Sequence, residues 1–107
     1  MLNLQTRNLG TVAVLKLQGQ MIIGETETLR DVVQSLPQTS SVILDLSRVS
    51  IVDAHGLGVM LQLREQTHAK GACFQLVNIG RQLREIMQLT RLDSVFMDHT
   101  QQTPLAA

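Results

Sequence analysis

Apolar and polar positions along this chain fall into short extended runs and longer helical stripes, and the punctuation between them marks out its elements. Residues 2–7 and 12–17 are extended runs separated by Asn8-Leu9-Gly10, which predicts two strands joined by a tight turn. Gly19 and Gly24 bracket a loop or brief extended segment. Beyond it, Leu29, Val32, Val33 and Leu36 follow the i, i+3, i+4, i+7 rule of an amphipathic helix. Pro37 ends that helix, because proline has no N–H to continue the hydrogen-bond ladder. Residues 42–46 form a mostly apolar run of strand length, residues 47–52 a loop, and residues 54–70 a second helix closed by a left-handed Gly71. Residues 74–77 predict a fourth strand, Asn78-Ile79-Gly80 a turn, and Leu83, Ile86, Met87 and Thr90 one face of a third helix. Residues 94–97 read as a short final strand and residues 100–107 as a frayed tail.

Strands alternating with helices after an opening β-hairpin imply right-handed crossovers, hence an α/β fold with a mixed, mostly parallel sheet and packed helices. Ligands of open parallel sheets gather where strands end and helices begin. The junction over residues 47–58 is therefore the expected functional edge. Asp53 is its natural helix N-cap, since a carboxylate accepts the unpaired amides of the first turn and suits the positive end of the helix dipole. Gly56 and Gly58 each cost about 1 kcal/mol against alanine in a helix interior, so they need a reason: close packing of helix on sheet, or a flat surface for a partner's backbone. Met60, Leu61 and Leu63 belong to the core. Met21, Ile22 and Ile23 either bury beneath the neighbouring helix or present apolar surface beside Gly24.

Composition narrows the function classes. A chain of 107 residues, 44% of them hydrophobic, with mean hydropathy +0.11, suffices for one ordinary core. Nine basic and nine acidic side chains cancel without forming runs, which argues against nucleic acid and against an anionic membrane surface as partners. Phe74 and Phe96 are the only aromatic residues, too few for a stacking platform. The single Cys73 excludes an internal disulfide and, inside an apolar run, is expected to be a buried thiol in a reducing, cytoplasmic setting. No secretory leader or membrane-spanning stretch is expected. His55, His68 and His99 are far apart and form no i, i+4 pair, so no metal site and no cofactor is expected.

The stretch VILDLSRVSIVDAHGLGVMLQL, residues 42–63, carries the most information. Its order of buried strand, short loop, acidic cap and glycine-interrupted helix resembles the centre of the STAS domain, the fold of bacterial anti-sigma factor antagonists. The later segment LREIMQLTRLDSVF resembles that family's closing helix and following turn, with Arg91 where many members carry glycine. If that position is left-handed, a non-glycine residue costs about 1 kcal/mol. The resemblance spans nearly the whole chain and implies a domain over residues 1–99 with residues 100–107 as a flexible tail.

The family pattern at the helix start is Asp, a small hydroxyl residue, a phosphorylatable Ser, then Gly-Leu-Gly; here it is Asp53-Ala54-His55-Gly56-Leu57-Gly58. Both hydroxyls are missing. The resemblance implies a non-enzymatic regulatory module whose partner is an anti-sigma factor or kinase-like protein, bound through Gly24, Asp53, Ala54, His55, Gly56, Leu57 and Gly58. His55 occupies the position of the family phosphosite and offers no hydroxyl. Ser47 and Ser50 are surrogate acceptors or plain turn formers. An alternative is a STAS subunit of a transporter or stress-signalling assembly without a phosphoswitch. An enzyme using Asp53 and His55 as an acid–base pair has least support, because no nucleophile or orienting group accompanies them.

Overall fold

The computed structural model describes residues 2–37 and 39–96. Four strands, β1 (Asn3–Leu9), β2 (Val12–Met21), β3 (Ser41–Val52) and β4 (Cys73–Val77), form one sheet in the order β1-β2-β3-β4. The β1/β2 pair is antiparallel and the β2/β3 and β3/β4 pairs are parallel. The mixed, mostly parallel α/β sheet opened by a hairpin is therefore present as the alternation of elements implies. Helices α1 (Glu27–Ser35), α2 (Ala54–Ala69) and α3 (Arg81–Leu89) supply the connections and the cover.

Burial along the strands has a period of two, as a sheet covered on one face requires. Ala13, Leu15 and Leu17 of β2, Val42, Leu44 and Leu46 of β3, and Phe74 and Leu76 of β4 are buried, while their alternate neighbours are half-buried or exposed. Helix α2 packs across β2, β3 and β4 and contributes Val59, Met60 and Leu63 to the same core. Cys73 lies on the other face and is exposed, contrary to the buried thiol expected. The strand alternates, so Phe74 takes the inward position and its neighbour cannot.

The larger departures from the sequence reading lie in the central strands and at the closing turn. Residues 47–52 are strand rather than loop: β3 continues alongside β2, which itself runs on to Met21. Register shifts between Lys16 and Gln18 and between Gly19 and Gln20 accommodate extra residues on β3. A bulge resets which side chains face inward, so the apolar alternation breaks although the strand does not. At the other end, residues 93–96 make a helical turn, with Val95 and Phe96 donating to the Leu92 carbonyl, where a final strand was expected. Arg91, at φ 61°, follows α3 in the left-handed region, so the cost of a non-glycine residue applies there. The turn that follows drives Phe96 against Phe74, with ring centroids 6.4 Å apart. Met97 and the tail over residues 100–107 lie outside the described residues.

Candidate partner-binding site

Asp53 organises the junction between sheet and helix. It follows β3 directly and has an extended backbone, at φ −93° and ψ −178°, as an N-cap requires. One carboxylate oxygen, Oδ1, accepts the Gly56 N–H at 2.8 Å, and the other, Oδ2, accepts the Ile23 N–H at 3.0 Å. Its own N–H donates to the Met21 carbonyl at 3.2 Å. One side chain thus caps α2 and ties down the segment that leaves β2. The Gly56 amide, then the Ile23 amide and the nearby His55, hold the Asp53 carboxyl below its ordinary range, against the opposing effect of desolvation.

That segment is a tight turn, with the Glu25 N–H donating to the Ile22 carbonyl at 3.0 Å. Gly24 has φ +86°, the left-handed third position that a type II turn demands. The turn splits the apolar trio. Met21 is fully buried, Ile22 is half-buried, and Ile23 at the turn's tip is 70% exposed.

The first turn of α2 faces this loop. Gly56 packs over the Met21 backbone so closely that a Cβ would overlap the carbonyl oxygen and lie 2.9 Å from its carbon. Close packing of helix on sheet therefore accounts for this glycine. Gly58 differs: a Cβ there meets nothing within 4 Å. Of the residues singled out from the sequence, Gly24, Ala54, His55 and Gly58 are exposed, Asp53 is half-buried, and Gly56 and Leu57 are buried. The bonds of Asp53 hold the Gly24 turn against the start of α2, which carries Ala54, His55 and Gly58, and a further contact that the sequence does not signal joins the two. His55 Nε2 lies 3.2 Å from the hydroxyl of Thr26, which is 2% exposed and sits at the N-cap of α1 without capping it through its side chain. A threonine before a helical run ordinarily reads as a cap, so nothing in the sequence signalled that its hydroxyl turns to another helix.

The alternative hydroxyls lie on β3, not in a turn. Ser50 Oγ donates to the Gly19 carbonyl at 3.2 Å, and the Ser47 N–H donates to Asp45 Oδ1 at 2.9 Å. Among the described residues no group of three or more His, Cys, Asp and Glu side chains is placed to hold a metal.

The STAS domain family model matches residues 3–107. The chain belongs to the STAS domain family. A STAS-domain containing protein of Pseudomonas aeruginosa is 24% identical over 88 residues, covering 81% of this chain and 87% of that protein. Among solved structures, an anti-sigma factor antagonist from Mycobacterium paratuberculosis superposes with a TM-score of 0.78 at 20% identity, covering 90% of this chain and 83% of that one. A sulfate transporter family protein from Wolinella succinogenes gives 0.71 at 20% identity, covering 79% and 70%. The chain also resembles part of Mglu, at a TM-score of 0.66 and 24% identity, covering 72% of this chain but spanning 20% of Mglu. At these identities the solved structures establish the shared fold.

Asp53 is matched by a second carboxylate at the end of the β3/β4 pairing. Partial burial alone raises the Asp45 carboxyl, but hydrogen bonds from the Asn78 side chain and from Ser47, with the charge of Lys16, outweigh it and leave the group lowered. Both carboxyls are depressed in the folded state, so their contributions are present above the unfolded pKa near 4 and are lost as pH falls through the folded values. Urea midpoints taken between about pH 6 and pH 2 are expected to fall below about pH 4. The fall should be shallower in the Asp45→Asn, Asp53→Asn double variant. Parallel profiles would show that neither carboxylate is stabilised by folding.

Proposed function

We propose that this STAS domain is a non-enzymatic regulatory module of the cytoplasm that binds an anti-sigma factor or kinase-like protein through the turn at Ile23 and Gly24 and the start of α2. The supporting observation is the exposed tip residue: Ile23, 70% exposed, is held through its N–H to Asp53 at the head of α2, whose first turns expose Ala54, His55 and Gly58 at the C-terminal edge of the parallel strands. A protruding aliphatic side chain next to a glycine-flattened helix start gives a partner an anchor and room for close approach. Chemistry at this edge has less support. Both Asp53 oxygens already accept backbone amides, and His55 Nε2 is engaged by Thr26. His55 at the family phosphosite leaves binding insensitive to kinase activity.

The test is a calorimetric titration of the domain with its cognate anti-sigma factor. Ile23→Asp is expected to weaken binding by about 30-fold or more. Leu89→Asp, which alters an 85% exposed residue on α3, should leave affinity unchanged. Equal losses in the two variants, or none in either, would remove the turn from the interface. Likeness to the sulfate transporter family protein favours a second reading, a STAS component of a transporter or stress-signalling assembly. Co-purification with such subunits in place of an anti-sigma factor would select it.

A further inference from the structure

The two halves of β3 have different surroundings. Over residues 41–45 it is flanked by β2 on one side and β4 on the other; over residues 48–52 it pairs with β2 alone. The division falls at Asp45, whose Oδ1 takes the Asn78 side-chain amide at 3.0 Å and the Ser47 N–H at 2.9 Å. Asn78, at φ 57°, turns the chain out of β4 at that point. What β4 vacates is an open strand edge, a row of backbone donors and acceptors with no neighbouring strand among the described residues.

The edge faces a cleft of about 170 Å³. Leu46, Val49, Ile51 and Val52 line it from β3, and Leu83 and Ile86 line it from α3. Ile51 is 49% exposed there, unusual for a strand isoleucine in a domain with a well-formed core. The far wall is the start of α3, where Gly80 is the N-cap, no side chain caps the first amides, and no acidic residue stands in the first turn. Arg81 lines the cleft beside it. The groove thus offers backbone pairing on one wall, apolar contact along its length, and positive potential at one end.

We propose that residues 47–52 of β3 and the first turn of α3 dock an extended segment of a partner protein, which adds to β3 as a further strand. The segment spans about six residues at roughly 3.3 Å each. It seats apolar, β-branched side chains against Val49, Ile51 and Ile86, and it carries an acidic residue toward the start of α3 and Arg81. The strand edge selects an extended backbone over a helix, and the charge selects an acidic segment over a neutral or basic one. The assignment does not depend on the partner being an anti-sigma factor.

An array of acetylated six-residue peptides, with Val, Ile or Thr at alternate positions and Glu or Gln at either end, tests it on the full chain. Peptides ending in Glu should bind saturably, about two- to fivefold more tightly than their Gln counterparts. In ¹⁵N spectra the bound peptide should shift the amides of residues 47–52 and 80–83 and slow hydrogen exchange within residues 47–52. Ile51→Lys should weaken binding at least tenfold, while Leu89→Lys should not. Retention of no peptide, or shifts confined to the start of α2, would overturn the proposal. So would concentration-dependent self-association that protects the same amides without peptide, which would assign the edge to a second copy.

Discussion

Gly56→Ala is expected to cost about 3 kcal/mol or more, a large share of the roughly 5–15 kcal/mol that holds a domain of this size folded. The new methyl group overlaps the Met21 carbonyl and lies 3.0 Å from the Met21 Cγ. A flexible side-chain end can swing aside, but the carbonyl is fixed: it accepts the Asp53 N–H, and Met21 is paired with Val52 across the sheet. Relief requires α2 to lift off the sheet, and that movement opens the core around Val59, Met60 and Leu63. Gly58→Ala supplies the contrast. It adds the same methyl to the same helix where nothing lies within 4 Å. It should stabilise the domain by about 0.5–1 kcal/mol through reduced backbone entropy in the unfolded chain. Urea midpoints of the two variants are therefore expected on opposite sides of the parent. A Gly56→Ala midpoint equal to the parent's would mean that the helix start is free to move away from Met21.

The sequence carried the parts of this site that depend on local chemistry. An aspartate ahead of an apolar helix is a cap wherever it occurs, and Asp53 caps α2. Gly24, Gly71 and Arg91 stand at turns or helix ends, and all three have positive φ. Features that depend on partners distant in sequence are not legible locally. Residues 47–52 looked like a loop because two bulges break the alternation, and only the presence of β2 alongside shows that the strand continues. The apolar character of its run predicts burial for Cys73, but the phase of the strand decides otherwise: Phe74 faces inward, so Cys73 faces outward. The Thr26–His55 contact joins residues 29 positions apart through the packing of α1 beside α2, and no single-sequence signal specifies it.

With a serine at position 55, the start of α2 regains the hydroxyl of the family pattern, and under the proposed function an anti-sigma kinase partner with ATP should phosphorylate it stoichiometrically, whereas the parent chain should stay unmodified over residues 53–58. The phosphate brings roughly −1.5 to −2 charges to the first turn. Within the domain this is tolerated, since the helix dipole favours negative charge there. At a packed interface it is not, because the group must be desolvated and because the carboxyl of Asp53, held below its ordinary range, is already a negative neighbour. Partner affinity should then fall by about 100-fold, or 2.7 kcal/mol, on adding kinase and ATP to His55→Ser, with no change for the parent or for His55→Ala. His55→Asp should show part of that loss without kinase. Calorimetric titration of the four proteins, with phosphopeptide mapping of each, separates the outcomes. Phosphorylated His55→Ser that binds as tightly as the parent would show that the partner does not seat on this helix start, and stoichiometric phosphate on His55 itself would show that the histidine has not silenced the switch.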